Sequence, residues 1–415
     1  MMKLIKLFLA YGMVLIAGQA FAHGPSVTPD LQVFISGSSA LQNTLGKTAD
    51  KMMQAGTVDV YYDNATNGSN YRAYFGTVTG TGTVLDGKKV LIHESAVGGS
   101  IQGVAPVALA TSINRMNIDA ATCTSTGGAY PAVTYKCTST VAAVPDAGVS
   151  DAEPALWNYP NLPAGTATVS TTSLSKLSFF GQNAVVYGIA VSDNVYAQVT
   201  NLSRYQVASL LTQAYQDWGP INPALAGHPV RIESRSPGSG TRASANAYFG
   251  GIPCSTGGTS LASYNSLVVE NTSAANVIAG LNADFNANQF SIGLLSAEYT
   301  PTASDHWHFV TLDGVAPTVA NVIAGKYDYF LEQTIQWRNA TVNGIAPPAP
   351  GGLMDTFLST FQLRSGDPAI LSTLPGVAAL PTSYTLILDS NNNVTNGVMR
   401  GTRQANTCAT YQLFY

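Results

Sequence analysis

Hydrophobic and polar positions along the chain change period repeatedly. Residues 30–37 (DLQVFISG) alternate as a half-buried strand does, and the run after them places Leu41, Leu45, Ala49 and Met52 at helical spacing, with serine as the N-cap. The first unit is therefore strand, glycine turn, helix. Residues 87–108 (GKKVLIHESAVGGSIQGVAPVA) repeat that order, with an apolar strand around Val90–Ile92, the turn Gly98-Gly99-Ser100 and a predicted helix. Residues 179–191 (FFGQNAVVYGIAV) read as a buried strand. Residues 203–218 (SRYQVASLLTQAYQDW) read as an amphipathic helix with Val207, Leu210, Leu211 and Ala214 on its apolar side. Residues 228–235 (HPVRIESR) form a further strand, 274–284 (AANVIAGLNAD) a helix and 290–299 (FSIGLLSAEY) another strand. Strands alternating with helices through Gly/Ser turns predict an α/β architecture.

In such folds ligands sit where the carboxyl ends of strands meet helix N-termini. Three junctions carry Gly and Ser: residues 37–39, 98–100 and 238–241. The third lies in RSPGSGTR, residues 235–242, where two arginines bracket glycines and hydroxyls in a chain only 10% charged. Glycines let a backbone approach closely, hydroxyls and amides donate, and a helix start adds positive potential, so the stretch has the chemistry of an anion site.

The 415 residues, 46% hydrophobic, are enough for a large core and two domains or lobes. The first 22 read as an export signal: Lys3 and Lys6, a short apolar run, then the small-residue cleavage site AFA at 20–22. No cysteine near that site offers a lipid anchor, so the expected mature protein begins near His23 as a soluble periplasmic or secreted chain. Without those two lysines, 17 Lys and Arg face 23 Asp and Glu. That acidic balance argues against nucleic acid as a partner. Four cysteines, Cys123, Cys137, Cys254 and Cys408, allow three disulfide pairings in an exported protein. Cys123 and Cys137 flank a hairpin-like segment that one bridge could close, and Cys254 and Cys408 would then tie the middle of the chain to its end. A zinc site is the rival reading, but no pair has C-x-x-C spacing.

The segments FISGSSAL, VGGSIQGV, PDAGVSDAEP, QDWGPINP, RIESRSPGSGTR and FSIGLLSAEY occur in the order of related segments in phosphate-binding proteins, the periplasmic substrate-binding subunits of bacterial ABC phosphate transporters. The chain resembles that family from about Asp30 to Tyr299, most specifically in R-x-x-G-S-G-T. The resemblance implies a two-lobed periplasmic binding protein fold, each lobe a mixed sheet flanked by helices, with the ligand cleft between lobes. Lobe I is expected at 23–192 and 305–415, with an inserted disulfide hairpin near 121–137, and lobe II at 193–304. Arg235 is expected to pair with phosphate while Ser239, Gly240 and Thr241 donate from a helix start. Ser38, Ser39, Gly99 and Ser100 face them from the other lobe. Asp151 matches the family aspartate that accepts a hydrogen bond from the ligand's remaining proton, rejecting sulfate, which has none. The bland alternative has Asp151 cap the helix of AEPALW.

The chain departs from the family at Ala40, where a ligand threonine is usual, near Val97, where a serine is usual, and at Pro237, where relatives carry an acidic residue beside the arginine. No cofactor, metal or catalytic residue is expected. GKT at 46–48 lacks the P-loop glycine, and His306 and His308 in DHWH lack a third ligand. The expected partners are phosphate or a related protonated oxyanion and an inner-membrane ABC permease, with the protein a monomer. The rivals are a secreted or surface protein that keeps the fold without transport, and a secreted phosphatase, for which no supported nucleophile–base pair is evident.

Overall fold

A computed structural model describes residues 23–39, 42–64, 68, 70–158 and 160–413. The export signal at 1–22, the Ala40 departure and Leu41 of the predicted first helix lie outside the described residues.

The protein is mixed α/β, with a large mixed sheet flanked by helices. Among the described residues, fifteen strands are hydrogen-bonded into one sheet. In one half, Leu31–Gly37 pairs in parallel with Lys89–Ser95 and with Ala147–Ser150. In the other, Val230–Arg235 pairs in parallel with Val268–Asn271 and Phe290–Ser296. The 16-residue strand Leu177–Ser192 belongs to both. Its first part pairs antiparallel with Phe330–Arg338, and its last part with Phe290–Ser296 and Trp307–Leu312. The two mixed sheets expected from the sequence are thus joined through one shared strand.

Apolar periodicity explains the helix docking. Leu45, Ala49 and Met52 of helix Gln42–Met52 are buried beside Phe357, Leu358 and Phe361 of helix Leu353–Ser365, against Val33, Ile35 and Ile92 of the sheet. Two sequence expectations need correction. The helix begun by Ser203 ends at Leu211, where a full capping box starts it but Gln213, at φ 58°, turns the chain away. Ala214 is exposed beyond that end and Trp218 is buried in the following loop. Phe179 and Phe180 are half-exposed, because the start of the long strand runs to the sheet margin before Ala184–Val191 enters the core.

The cysteines pair as Cys123–Cys137 and Cys254–Cys408. The first bridge joins the antiparallel strands Cys123–Ser125 and Tyr135–Cys137, and the second of these extends the sheet by pairing with Asp59–Asp63. The second bridge ties the loop after helix Gly240–Tyr248 to the C-terminal segment. There Thr407 donates to both oxygens of Glu153, from its N–H at 2.8 Å and its Oγ1 at 2.7 Å. No helix among the described residues is long and apolar enough to cross a membrane.

Candidate functional site

Five strand ends meet at one cavity of about 30 Å3. Since a water needs at least about 10–15 Å3 of such space, the cavity suits a ligand the size of a few waters and excludes a sugar chain or nucleotide. Ser39 follows strand Leu31–Gly37, Gly99 and Ser100 follow Lys89–Ser95, and Asp151 follows Ala147–Ser150. From the other half, Arg235, Ser239, Gly240 and Thr241 follow or end Val230–Arg235, and Ser296, Glu298 and Tyr299 close Phe290–Ser296. Tyr187 reaches the cavity from the shared strand.

Glycine permits this convergence. A Cβ on Gly148 would lie 1.8 Å from the Gly103 carbonyl oxygen, so only glycine lets the short helix after the second turn rest on the strands. Gly99 at φ 76° and Gly238 at φ 87° turn the two loops tightly enough for backbone to meet backbone. There the Ile101 N–H donates to the Gly238 carbonyl at 3.2 Å, joining the two loops.

The donors face inward. Ser239 is the N-cap of helix Gly240–Tyr248 yet makes no side-chain cap bond. Its Oγ is buried and has no hydrogen-bond partner among the described residues. The first intrahelical bond runs from the Ala243 N–H to the Ser239 carbonyl, so the N–H groups of Gly240, Thr241 and Arg242 have no acceptor within the helix. Arg235 Nη2 donates to the Thr272 carbonyl at 3.2 Å, while its Nε is buried without a partner among the described residues. Burial pulls the Arg235 guanidinium down from its ordinary value, and the charge of Asp151 opposes that fall. The second arginine of the motif has another job. Arg242 turns from the cavity, donating from Nη1 to Ser234 Oγ at 2.6 Å and lying over the Tyr264 ring at 4.8 Å. Tyr264 in turn donates to the Arg235 carbonyl at 2.9 Å, bracing the loop that Pro237 leaves without an acidic partner.

Two carboxyl groups oppose these donors. Asp151 is almost fully buried and does not cap the following helix, whose N-cap is Glu153. Burial raises its pKa, against hydrogen bonds from Ser38 and Ser100, the Arg235 charge and Tyr187. Glu298, which the sequence reading left out, accepts from Ser296 Oγ at 2.9 Å. Burial raises it too; the Ser296 bond lowers it, Asp151 raises it further and Asn43 lowers it.

Of the nine residues expected at the site, eight line the cavity together: Ser39, Gly99, Ser100, Asp151, Arg235, Ser239, Gly240 and Thr241. Ser38 stands behind the wall and donates to Asp151. Tyr187, Ser296, Glu298 and Tyr299 are the polar additions, with Ala274 and Leu295 completing the wall. Elsewhere, His306 and His308 both address Asp193, at 3.4 and 2.7 Å, and no group of three metal-ligating side chains occurs among the described residues.

No protein-family model matches the chain, and no curated protein matches it. Among solved structures it is similar to a phosphate ABC transporter substrate-binding protein with bound phosphate from Clostridium perfringens, at 14% identity and TM-score 0.48 over 82% of this chain and 97% of that one. An ABC-type phosphate transport receptor from Vibrio cholerae gives 14% identity and TM-score 0.45, over 82% and 97% of the two chains. PstS from Borrelia burgdorferi gives 13% and 0.41, over 83% and 97%.

Proposed function

We infer that this chain is a binding protein for phosphate, or for an oxyanion that likewise keeps a proton near neutral pH. The observation that carries the reading is the pairing of Ser239 Oγ, buried without a partner among the described residues, with the Arg235 guanidinium at one small cavity and one helix start. A buried anion requires such compensation, because an unpaired charge away from water costs several kcal/mol. Arg235 supplies charge-assisted bonds, Ser239 and the helix N–H groups supply further donors, and Asp151 accepts a hydrogen bond from the protonated ligand oxygen. An ion with no proton, such as sulfate, would set acceptor against acceptor at Asp151 and be refused.

On this reading the two halves of the sheet are lobes that close on the ligand, with binding and release the whole mechanism and no covalent step. The chain would work outside the cytoplasm as a monomer and deliver its ligand to an inner-membrane ABC permease. The test is calorimetric titration of residues 23–415, stripped of bound anion, with phosphate and with sulfate, alongside Asp151→Asn. Saturable phosphate binding that ignores sulfate, with that preference reduced in Asp151→Asn, supports the reading. A folded, stripped protein that binds neither anion overturns it.

A further inference from the structure

The cavity holds two carboxyl groups and one guanidinium. Asp151 alone accounts for one proton on the ligand. Glu298 adds a second acceptor on the opposite half of the site, at the end of strand Phe290–Ser296, close enough to Asp151 for their charges to interact. Resting on the phosphate reading, we propose that Glu298 is a second specificity-determining residue, and that Asp151 and Glu298 together select an oxyanion bound with two protons: dihydrogen phosphate or its chemical equivalent.

The argument is a count of hydrogens. An ionised carboxylate only accepts, and so does every unprotonated ligand oxygen. Two lone-pair surfaces brought together in a dry site repel, so each carboxyl facing the anion needs one hydrogen between the two partners. Other neighbours take up only part of Glu298. Ser296 Oγ donates to its Oε1 and Asn43 supports it from helix Gln42–Met52. The titratable groups around the pair are Arg235, Tyr187 and Tyr299. Arg235 is the one cation among them, and it cannot balance two carboxylates plus a dianion. The tyrosines stay protonated at working pH, burial pushing Tyr299 up to about 12 and Tyr187 well above its ordinary value. Dibasic phosphate brings one proton, so the second must come from solution when the complex forms. Held on a ligand oxygen and directed at Glu298, it makes the bound ion dihydrogen phosphate.

This fixes a sign. Above the second ionisation of phosphate, with both carboxyls ionised in the free protein, ligand and carboxylates hold one proton between them before binding and the complex holds two, so affinity for total phosphate falls roughly tenfold per pH unit. Glutamine at position 298 supplies its own donor and removes the need for the second proton.

The experiment is phosphate calorimetry on the full mature chain from pH 7 to 9, in buffer pairs of different ionisation enthalpy, for wild type and Glu298→Gln. Expected are uptake of about one proton and a roughly tenfold fall in affinity per pH unit for wild type. Both are expected to vanish in the variant, which then binds more tightly than wild type at pH 9. Wild-type binding with no proton uptake and a flat profile overturns the proposal without touching the phosphate reading, and it needs no variant. An unchanged slope in a folded Glu298→Gln protein assigns the second proton elsewhere and also overturns it. Absence of phosphate binding by wild type at every pH takes down both.

Discussion

Asp151 lies against the α-carbon of Gly240, so close that a Cβ there would fall 2.1 Å from its Oδ2 and 2.2 Å from its Cβ. An acidic side chain from one half of the sheet and the first residue of a helix from the other thus occupy adjoining space. Gly240 leaves the room that lets the carboxyl reach the helix start.

Gly240→Ala is therefore expected to push Asp151 aside or hold the two halves apart. Overpacking of this kind costs about 1–3 kcal/mol. Phosphate affinity should drop at least tenfold while far-ultraviolet circular dichroism stays unchanged. Calorimetry and a thermal melt on the same sample check both.

Arg235→Lys separates charge from geometry. A lysine keeps the positive charge but loses the planar fork and the bond to Thr272, so affinity is expected to fall about ten- to a hundredfold with little change in melting temperature. Arg242→Lys is expected to act differently. Arg242 braces Ser234 and Tyr264 outside the cavity, so its loss should lower stability more than it alters anion selectivity. Titrations paired with denaturant unfolding distinguish the two.

The two bridges are expected to differ in strength. Their cysteines are 14 and 154 positions apart, and closing the longer loop restricts the unfolded chain more. In the loop-entropy account, removal costs about 3 kcal/mol for the shorter loop and about 5 for the longer. Unfolding of Cys123→Ala/Cys137→Ala and Cys254→Ala/Cys408→Ala double variants in guanidinium measures the order.

Glu94 sets a pH dependence unrelated to ligand. It is fully buried on strand Lys89–Ser95, and burial raises its pKa to about 7 against the opposing charge of Arg72 and a hydrogen bond from Gln42. The folded state therefore keeps a proton that the unfolded chain releases near the ordinary glutamate value. The stabilisation is complete below that value and is lost as pH rises through about 7. Melting temperature should decline from about pH 5 to 7.5, and Glu94→Gln should flatten that decline.

The sequence made the α/β class legible because its strands end in glycine turns before helical periods, as at Gly37 and Gly238. It made most of the cavity legible because polar residues at those turns break the apolar pattern visibly. Tyr187 gave no such signal. It sits inside a continuous apolar run, where a core tyrosine and a cavity tyrosine look alike, and only the path of the shared strand distinguishes them. Glu298 was within reach, since it follows the carboxyl end of a strand as the other site residues do, but no Gly/Ser turn marks it. The end of the helix at Leu211 was hidden for a different reason: Ala214 continues the apolar spacing that the backbone abandons at Gln213.

The contact between Ile101 and Gly238 has a practical consequence. Both of its atoms belong to the main chain, so it is indifferent to side-chain chemistry, and it can break only when the two loops part. The Ile101 amide is thus an intrinsic isotope-exchange clock. Its deuteration rate, with and without added phosphate, reads the fraction of time the two loops stand apart with no label attached to the protein.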